Sequence, residues 1–194
     1  MFRVLEWQRG WQGTVAGSGQ DGAREHGRGT LGRGVARGGG VCAQAIPLLV
    51  QVIQSPDARS EVNLNPTENA IAAVTKILKY NNSAVNVDEV IPVWLSWLPV
   101  WEDTDEAPHV YGYLCDLIDG NHPLVLGPNN SNLPRLMLIF SEAFRREAVE
   151  KEAEVTQRML NIVRQLQANP EVFQACISQL SQEQQLALHK YLTT

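Results

Sequence analysis

No stretch of this chain is apolar for the roughly 20 residues a membrane-spanning helix needs. The near-terminal VLEW run is too short for the apolar core of a signal peptide and is followed by polar residues. Cysteine is scarce: Cys42, Cys115 and Cys176 are far apart, odd in number, and form no CxxC or Cys/His metal spacing. That excludes a disulfide framework and predicts reduced, mostly buried thiols of a cytosolic or nuclear protein. The four histidines (His26, His109, His122, His189) are scattered, and Walker A, GxGxxG, GxSxG and HExxH patterns are all missing. Nothing supplies a nucleophile, a general base, a metal site or a cofactor cradle, so the expectation is no enzyme. His122 precedes a proline and reads as a turn residue. Strands are missing as well, since no segment alternates convincingly with period 2.

Glycine and charge are present but unevenly placed. Twelve of the fifteen glycines lie in residues 1–40, together with six arginines against Glu6, Asp21 and Glu25. Arg28-Gly29, Arg33-Gly34 and Arg37-Gly38-Gly39 make an RG-rich run. Such a segment buries too little surface to offset chain entropy, so residues 1–40 are expected to be a disordered leader. It reads either as an RGG-like RNA-binding tail or as a tail with no task of its own. The abrupt change at Val41 also fits a stretch foreign to the folded part. The leader carries +3 and residues 41–194 carry −8. A folded part this acidic is a poor general nucleic-acid binder and a plausible host for basic partners.

From residue 41 onward the apolar residues recur with helical spacing. Cys42–Gln54 places Ile46, Leu49, Val50 and Ile53 on one face. Asn65-Pro66-Thr67-Glu68 reads as a helix start with Asn65 as cap, and Asn81-Asn82 as its end. Residues 87–121 form two amphipathic helices around an acidic, Trp-marked turn. The first carries Val90, Ile91, Trp94, Leu95 and Leu98 and stops at Pro99. The second carries Val110, Tyr111, Leu114, Cys115 and Ile118, and Asp103, Thr104 or Asp105 can cap it. Further stripes follow over residues 133–146, 152–167, 170–180 and 182–192. Asn169-Pro170 opens one of these helices, and Ser181 with Gln184 makes a capping box before the last. Candidate first helices begin near Asn65, Asp105 and Glu152, at separations of 40 and 47 residues, which matches the helix-pair repeat of HEAT or armadillo solenoids. The expected architecture is all-α, about three helical hairpins stacked as a solenoid over residues 41–194.

Three stretches add a resemblance: Val90-Ile91-Pro92-Val93-Trp94-Leu95-Ser96-Trp97-Leu98-Pro99, Tyr113-Leu114-Cys115-Asp116-Leu117-Ile118, and Asn121 through Asn130. With Val163-Arg164-Gln165 and Gln179 through Gln185, they resemble the C-terminal HEAT repeats of the karyopherin-β family of nuclear import receptors. The resemblance covers about residues 44–192. It implies an all-helical solenoid whose inner helices bind cargo, with Ran-GTP and nucleoporins as further partners, in the cytoplasm and nucleus. Members of that family are several times longer, and their main Ran-GTP contacts lie in N-terminal repeats that this chain lacks. Residues 1–40 match nothing in the family. The expectation is therefore a C-terminal fragment, truncated isoform or partial gene product with an unrelated leader.

Six residues stand out as candidates for binding basic cargo. Glu102, Asp103, Asp105 and Glu106 form an acidic cluster that fits Lys/Arg-rich segments, and equally fits the positive end of a helix dipole. Trp97 lies beside the apolar stripe and Trp101 beyond Pro99, so both are expected to be partly exposed and able to stack on guanidinium groups. Trp94, centred on the stripe, reads as core. A solenoid piece without its preceding repeat exposes an apolar face, so residues 42–54 are expected to fray or to dimerise. A scaffold that only assembles other proteins is the alternative to a transport receptor.

Overall fold

The computed structural model describes residues 36–193, and the expectations for residues 1–35 lie outside them. Among the described residues there are nine α-helices and no strand. They are α1 (Ala36–Ile53), α2 (Leu64–Tyr80), α3 (Val87–Trp97), α4 (Ala107–Asp119), α5 (Pro123–Leu126), α6 (Leu133–Arg145), α7 (Glu154–Gln167), α8 (Pro170–Ile177) and α9 (Gln182–Leu192). The architecture is the all-helical arrangement of a HEAT-repeat solenoid. α2, α4 and α7 lie side by side in a row. α1 packs on α2, which also touches α3, and α6 holds both α8 and α9. The row helices start at Leu64, Ala107 and Glu154, close to the three expected starts. Because α1 packs on α2, α2 is the second rather than the first helix of its hairpin.

Local rules account for most boundaries. Asn169 accepts from the Val172 N–H with Pro170 at the first helical position, and Ser181 and Gln184 satisfy each other's backbone amides as a full capping box. Two boundaries differ from expectation. α2 begins at Leu64 with Asn63 at the cap position, so Asn65 and Pro66 sit inside its first turn. α1 begins at Ala36, five residues before the expected edge of the leader. Extending a helix that already exists costs only propagation, not nucleation, so glycines 38–40 are tolerated there.

The connector after α4 holds most of the positive-φ residues, with Glu147 (54°) a further one after α6. Asn121, Asn129 and Asn130 take φ of 52°, 53° and 59°, and Gly127 takes 73°. Asparagine tolerates the left-handed region because its short side chain bonds locally. A Cβ on Gly127 would meet Ser131 Oγ at 2.6 Å, so that hydroxyl would have to move, and the φ of 73° itself favours glycine there.

The core runs through all the long helices. Trp94, Tyr111, Phe140 and Phe144 are among the largest fully buried side chains. Trp94 meets Tyr113 edge-to-face at 5.4 Å, and Phe144 stacks on Tyr191 at 4.5 Å, joining α6 to α9. Cys115 and Cys176 are buried and Cys42 half-buried, and all three are free. Burial pushes the Cys115 thiol up to about 12, so it is inert at neutral pH.

Candidate functional site

The loop between α3 and α4, residues 98–106, contains five of the six candidate residues. It is built on a carboxylate from another helix. Glu68, on α2, is only 1% exposed. Its oxygens accept from the backbone N–H groups of Trp101 (2.9 Å), Glu102 (2.7 Å) and Asp103 (3.0 Å). Arg59 lies 3.5 Å away as its counter-ion. Burial pushes the Glu68 carboxyl upward, while the three amide donors and Arg59 pull the other way. Tyr111 holds the next residue: its hydroxyl donates to the Val100 carbonyl (2.5 Å) and accepts from the Val100 N–H (3.2 Å). The phenol is fully buried, and burial raises its pKa. At the start of the loop, Arg135 from α6 donates to the Leu98 carbonyl. The loop backbone is thus fixed by α2, α4 and α6 together.

The six candidates are placed unequally. Glu102 and Asp105 are exposed, and no hydrogen bond or ion pair engages their carboxylates among the described residues. Asp103 accepts from the Glu106 N–H (3.0 Å) through Oδ1 and from the Asn69 amide through Oδ2. It therefore caps the turn leading into α4, one of the two roles open to it. Glu106 is ion-paired to Lys76 at 2.6 Å, with its side chain 24% exposed. Trp101 is half-buried, and two of the chain's own guanidinium groups lie over its ring: Arg146 at 4.9 Å and Arg59 at 5.5 Å. Trp97 departs from expectation, being only 8% exposed. It follows Trp94 by three residues, so the two share a helix face and the apolar stripe of α3 is wider than the five residues assigned to it.

A second charged assembly runs along the helix row. Lys79 on α2 meets Asp116 on α4 at 2.8 Å, and Arg158 on α7 reaches Asp116 at 2.9 Å and Asp119 at 2.8 Å. The two cations hold the Asp116 carboxyl below the usual carboxylate range despite partial burial. Lys79 and Arg158 are thereby paired within the fold, as are the Asp116 and Asp119 carboxylates. Among the described residues no group of three or more His, Cys, Asp or Glu side chains could hold a metal ion. Among them, too, no helix is long and apolar enough to cross a membrane.

Arg59, Glu68 and Arg146 carry no signal as site residues in the sequence. Glu68 was legible only as a favourable charge near a helix start. Its partners lie 33 to 35 residues downstream, and no local pattern announces a contact at that distance.

No family model matches the chain. Curated relatives do, and two of them show the extent of the match. Importin subunit beta-3 of Saccharomyces cerevisiae is 38% identical over 91 residues, 46% of this chain. The probable importin subunit beta-4 of Schizosaccharomyces pombe is 25% identical over 118 residues, 61% of this chain. The matched regions are 8% and 11% of those proteins, so the chain spans about a tenth of the length of the curated relatives it matches. Over part of its length, this chain is homologous to members of the importin β family.

Proposed function

We propose that the chain acts as a segment of a nuclear import receptor of the importin β type, similar to importin-5. The observation that carries this reading is the conjunction of importin homology with an acidic loop, residues 98–106, in which the Glu102 and Asp105 carboxylates are exposed. The work of such a surface is non-covalent. Glu102 and Asp105 are the two candidate carboxylates left open, and they project from a loop that Glu68 and Tyr111 hold in place. A Lys/Arg-rich import signal would pair with them through weak contacts that reinforce one another. Trp101 contributes differently from the simple expectation. Arg59 and Arg146 already occupy its ring, so a cargo guanidinium would have to displace one of them.

Ran-GTP and nucleoporins are further partners on this reading, and the chain would work in the cytoplasm and nucleus. Binding of purified full-length chain to a Lys/Arg-rich import-signal peptide is the test. Saturable binding that falls at least tenfold in the double variant Glu102→Lys, Asp105→Lys supports the proposal. Unchanged binding in that variant removes these residues from it.

A second reading, a HEAT scaffold that assembles other proteins without transport activity of its own, is favoured by one observation. Four of the six candidates are committed internally: Trp97 to the core, Trp101 to two arginines, Asp103 to the turn and Glu106 to Lys76. A scaffold would bind a folded or apolar partner with little salt dependence.

A further inference from the structure

Trp101 carries two guanidinium groups of its own chain, and they are held very differently. Arg59 lies 5.5 Å from the ring centroid. Its Nη2 donates to the Trp97 carbonyl, and its Nη1 lies 3.5 Å from Glu68. Moving Arg59 away would leave a nearly fully buried carboxylate without its counter-ion, which is costly. Arg146 lies nearer the ring, at 4.9 Å, and its side chain has one other partner, Glu142 Oε1, 3.1 Å from its Nε. Glu142 does not depend on that contact. Arg145 donates to Oε1 at 2.6 Å and to Oε2 at 2.8 Å, and Gln184 donates to Oε2 at 2.9 Å. With its side chain 44% exposed, Arg146 can turn into solvent and leave both Glu142 oxygens partnered. The Trp101 backbone stays in place, because its N–H is fixed on Glu68.

We propose that the Trp101 face under Arg146 is an arginine-selective subsite, and that Arg146 is its built-in occupant, displaced when an arginine of a basic partner segment binds. The proposal rests on the import reading and names the side chain that the acidic loop selects. A planar, delocalised guanidinium stacks on an indole and gives up its water more readily than an ammonium does. The ring already holds such a group, so the chain itself shows which chemistry fits there. Exchanging Arg146 for a partner's arginine conserves the charge around the ring, so Arg59 is not brought against an extra cation. The exchange also reopens the acceptor direction on Glu142 Oε1 that the Arg146 Nε had used. Glu102 is the next residue in the chain and is exposed, so its charge stands ready for a neighbouring basic residue of the same segment. A lysine gains from Glu102 and Asp105 as an arginine does, but it has no plane to lay on the indole. A preference for arginine therefore comes from this subsite and not from the acidic loop as a whole.

The test is the affinity of the full chain for two peptides of equal length and charge, hexa-arginine and hexa-lysine, at one fixed salt concentration. It is measured by calorimetry for the natural sequence, Arg146→Ala and Trp101→Leu, each verified as folded by helical circular dichroism. The ratio of the two affinities cancels the general effect of removing one positive charge. The expected result is an arginine-to-lysine ratio that rises roughly threefold in Arg146→Ala and falls to about one in Trp101→Leu. The indole N–H resonance of Trp101, assigned by its loss in Trp101→Leu, shifts with hexa-arginine and not with hexa-lysine. A ratio that does not rise in Arg146→Ala overturns the proposal, and Arg146→Ala decides it alone should Trp101→Leu unfold. A preference for arginine that persists in a folded Trp101→Leu overturns it as well. Hexa-lysine binding that is lost in Glu102→Lys, Asp105→Lys, with hexa-arginine bound no better, overturns this proposal and leaves the import reading standing. Binding of neither peptide to the folded chain overturns both.

Discussion

Glu68 shows how one residue positions a loop that no local pattern specifies. Three consecutive backbone N–H groups converge on a carboxylate that is nearly fully buried. Replacing it with alanine leaves those donors without an acceptor and Arg59 without its counter-ion. Glu68→Ala should therefore cost about 3–5 kcal/mol in urea unfolding, while Glu102→Ala, exposed and unpaired, should cost under about 0.5 kcal/mol. Trp94 is the other decisive residue. It is fully buried, and its indole N–H donates to Thr75 Oγ1 at 2.8 Å, whose hydroxyl in turn donates to the Ile71 carbonyl. Trp94→Ala should cost about 3–5 kcal/mol. Its position at the centre of the α3 stripe was plain from spacing. Its hydroxyl partner was not, because Thr75 lies on a different helix and reads only as a polar position. Trp97 was misplaced for the complementary reason: a stripe read from five residues understates a face closed from several sides.

At the scale of the element, the helices and their order were legible because the apolar periodicity is strong from residue 42 onward. Capping signals were legible where one short-range rule decides, as at Asn169 and Ser181, and less so at Asn63, whose side chain bonds Asp57 instead of capping α2. The four-residue α5 escaped notice because so short a helix has no stripe to show. Two predictions belong to single elements. Gly112 lies inside α4, and a Cβ there meets nothing within 4 Å. Gly112→Ala should stabilise the chain by about 0.5–1 kcal/mol by removing backbone freedom from the unfolded state.

The second concerns the α6–α9 junction. Glu142 accepts from Arg145 at 2.6 Å, Arg146 at 3.1 Å and Gln184 at 2.9 Å. The Arg145 hydrogen bond, aided by Gln184 and Arg146, holds its carboxyl down to about 2 from an ordinary 4.5, against a partial burial that opposes it. A carboxyl whose folded pKa is depressed stabilises the fold above its unfolded pKa. That contribution is fully present above about pH 4.5 and is lost as pH falls toward 2. It should amount to about 1–3 kcal/mol. Denaturation measured from pH 6 down to pH 2 should thus show a smaller stability loss in Glu142→Gln than in the natural chain. Equal slopes would mean that the Glu142 carboxylate contributes nothing to the junction.

At the scale of the whole molecule, the spacing of helix starts revealed the repeat before any side-chain contact was known. α2, α4 and α7 do form one row, and the starts are 43 and 47 residues apart. What spacing could not convey is how the charges are distributed over that row. Lys79 and Arg158 pair with Asp116 on the middle row helix and Lys76 pairs with Glu106 of the loop, so the open charges of the 98–106 loop are those of Glu102 and Asp105. The candidate residues were identified by type, but their availability depends on contacts spanning 30 residues or more, such as Glu106 with Lys76 and Trp101 with Arg59. Sequence alone ranks all six alike, whereas packing leaves Glu102 and Asp105.

The import reading rests on that open acidic loop, and salt dependence tests it most directly. The measurement is the dissociation constant of the full chain for a Lys/Arg-rich import-signal peptide, titrated from about 50 to 300 mM salt, a range over which the Debye length falls from about 14 to about 6 Å. The account predicts saturable binding whose Kd rises at least tenfold across that range. It also predicts a slope that flattens in Glu102→Lys, Asp105→Lys. A well-folded chain that binds no such peptide, or binds it with a Kd indifferent to salt, would contradict the account.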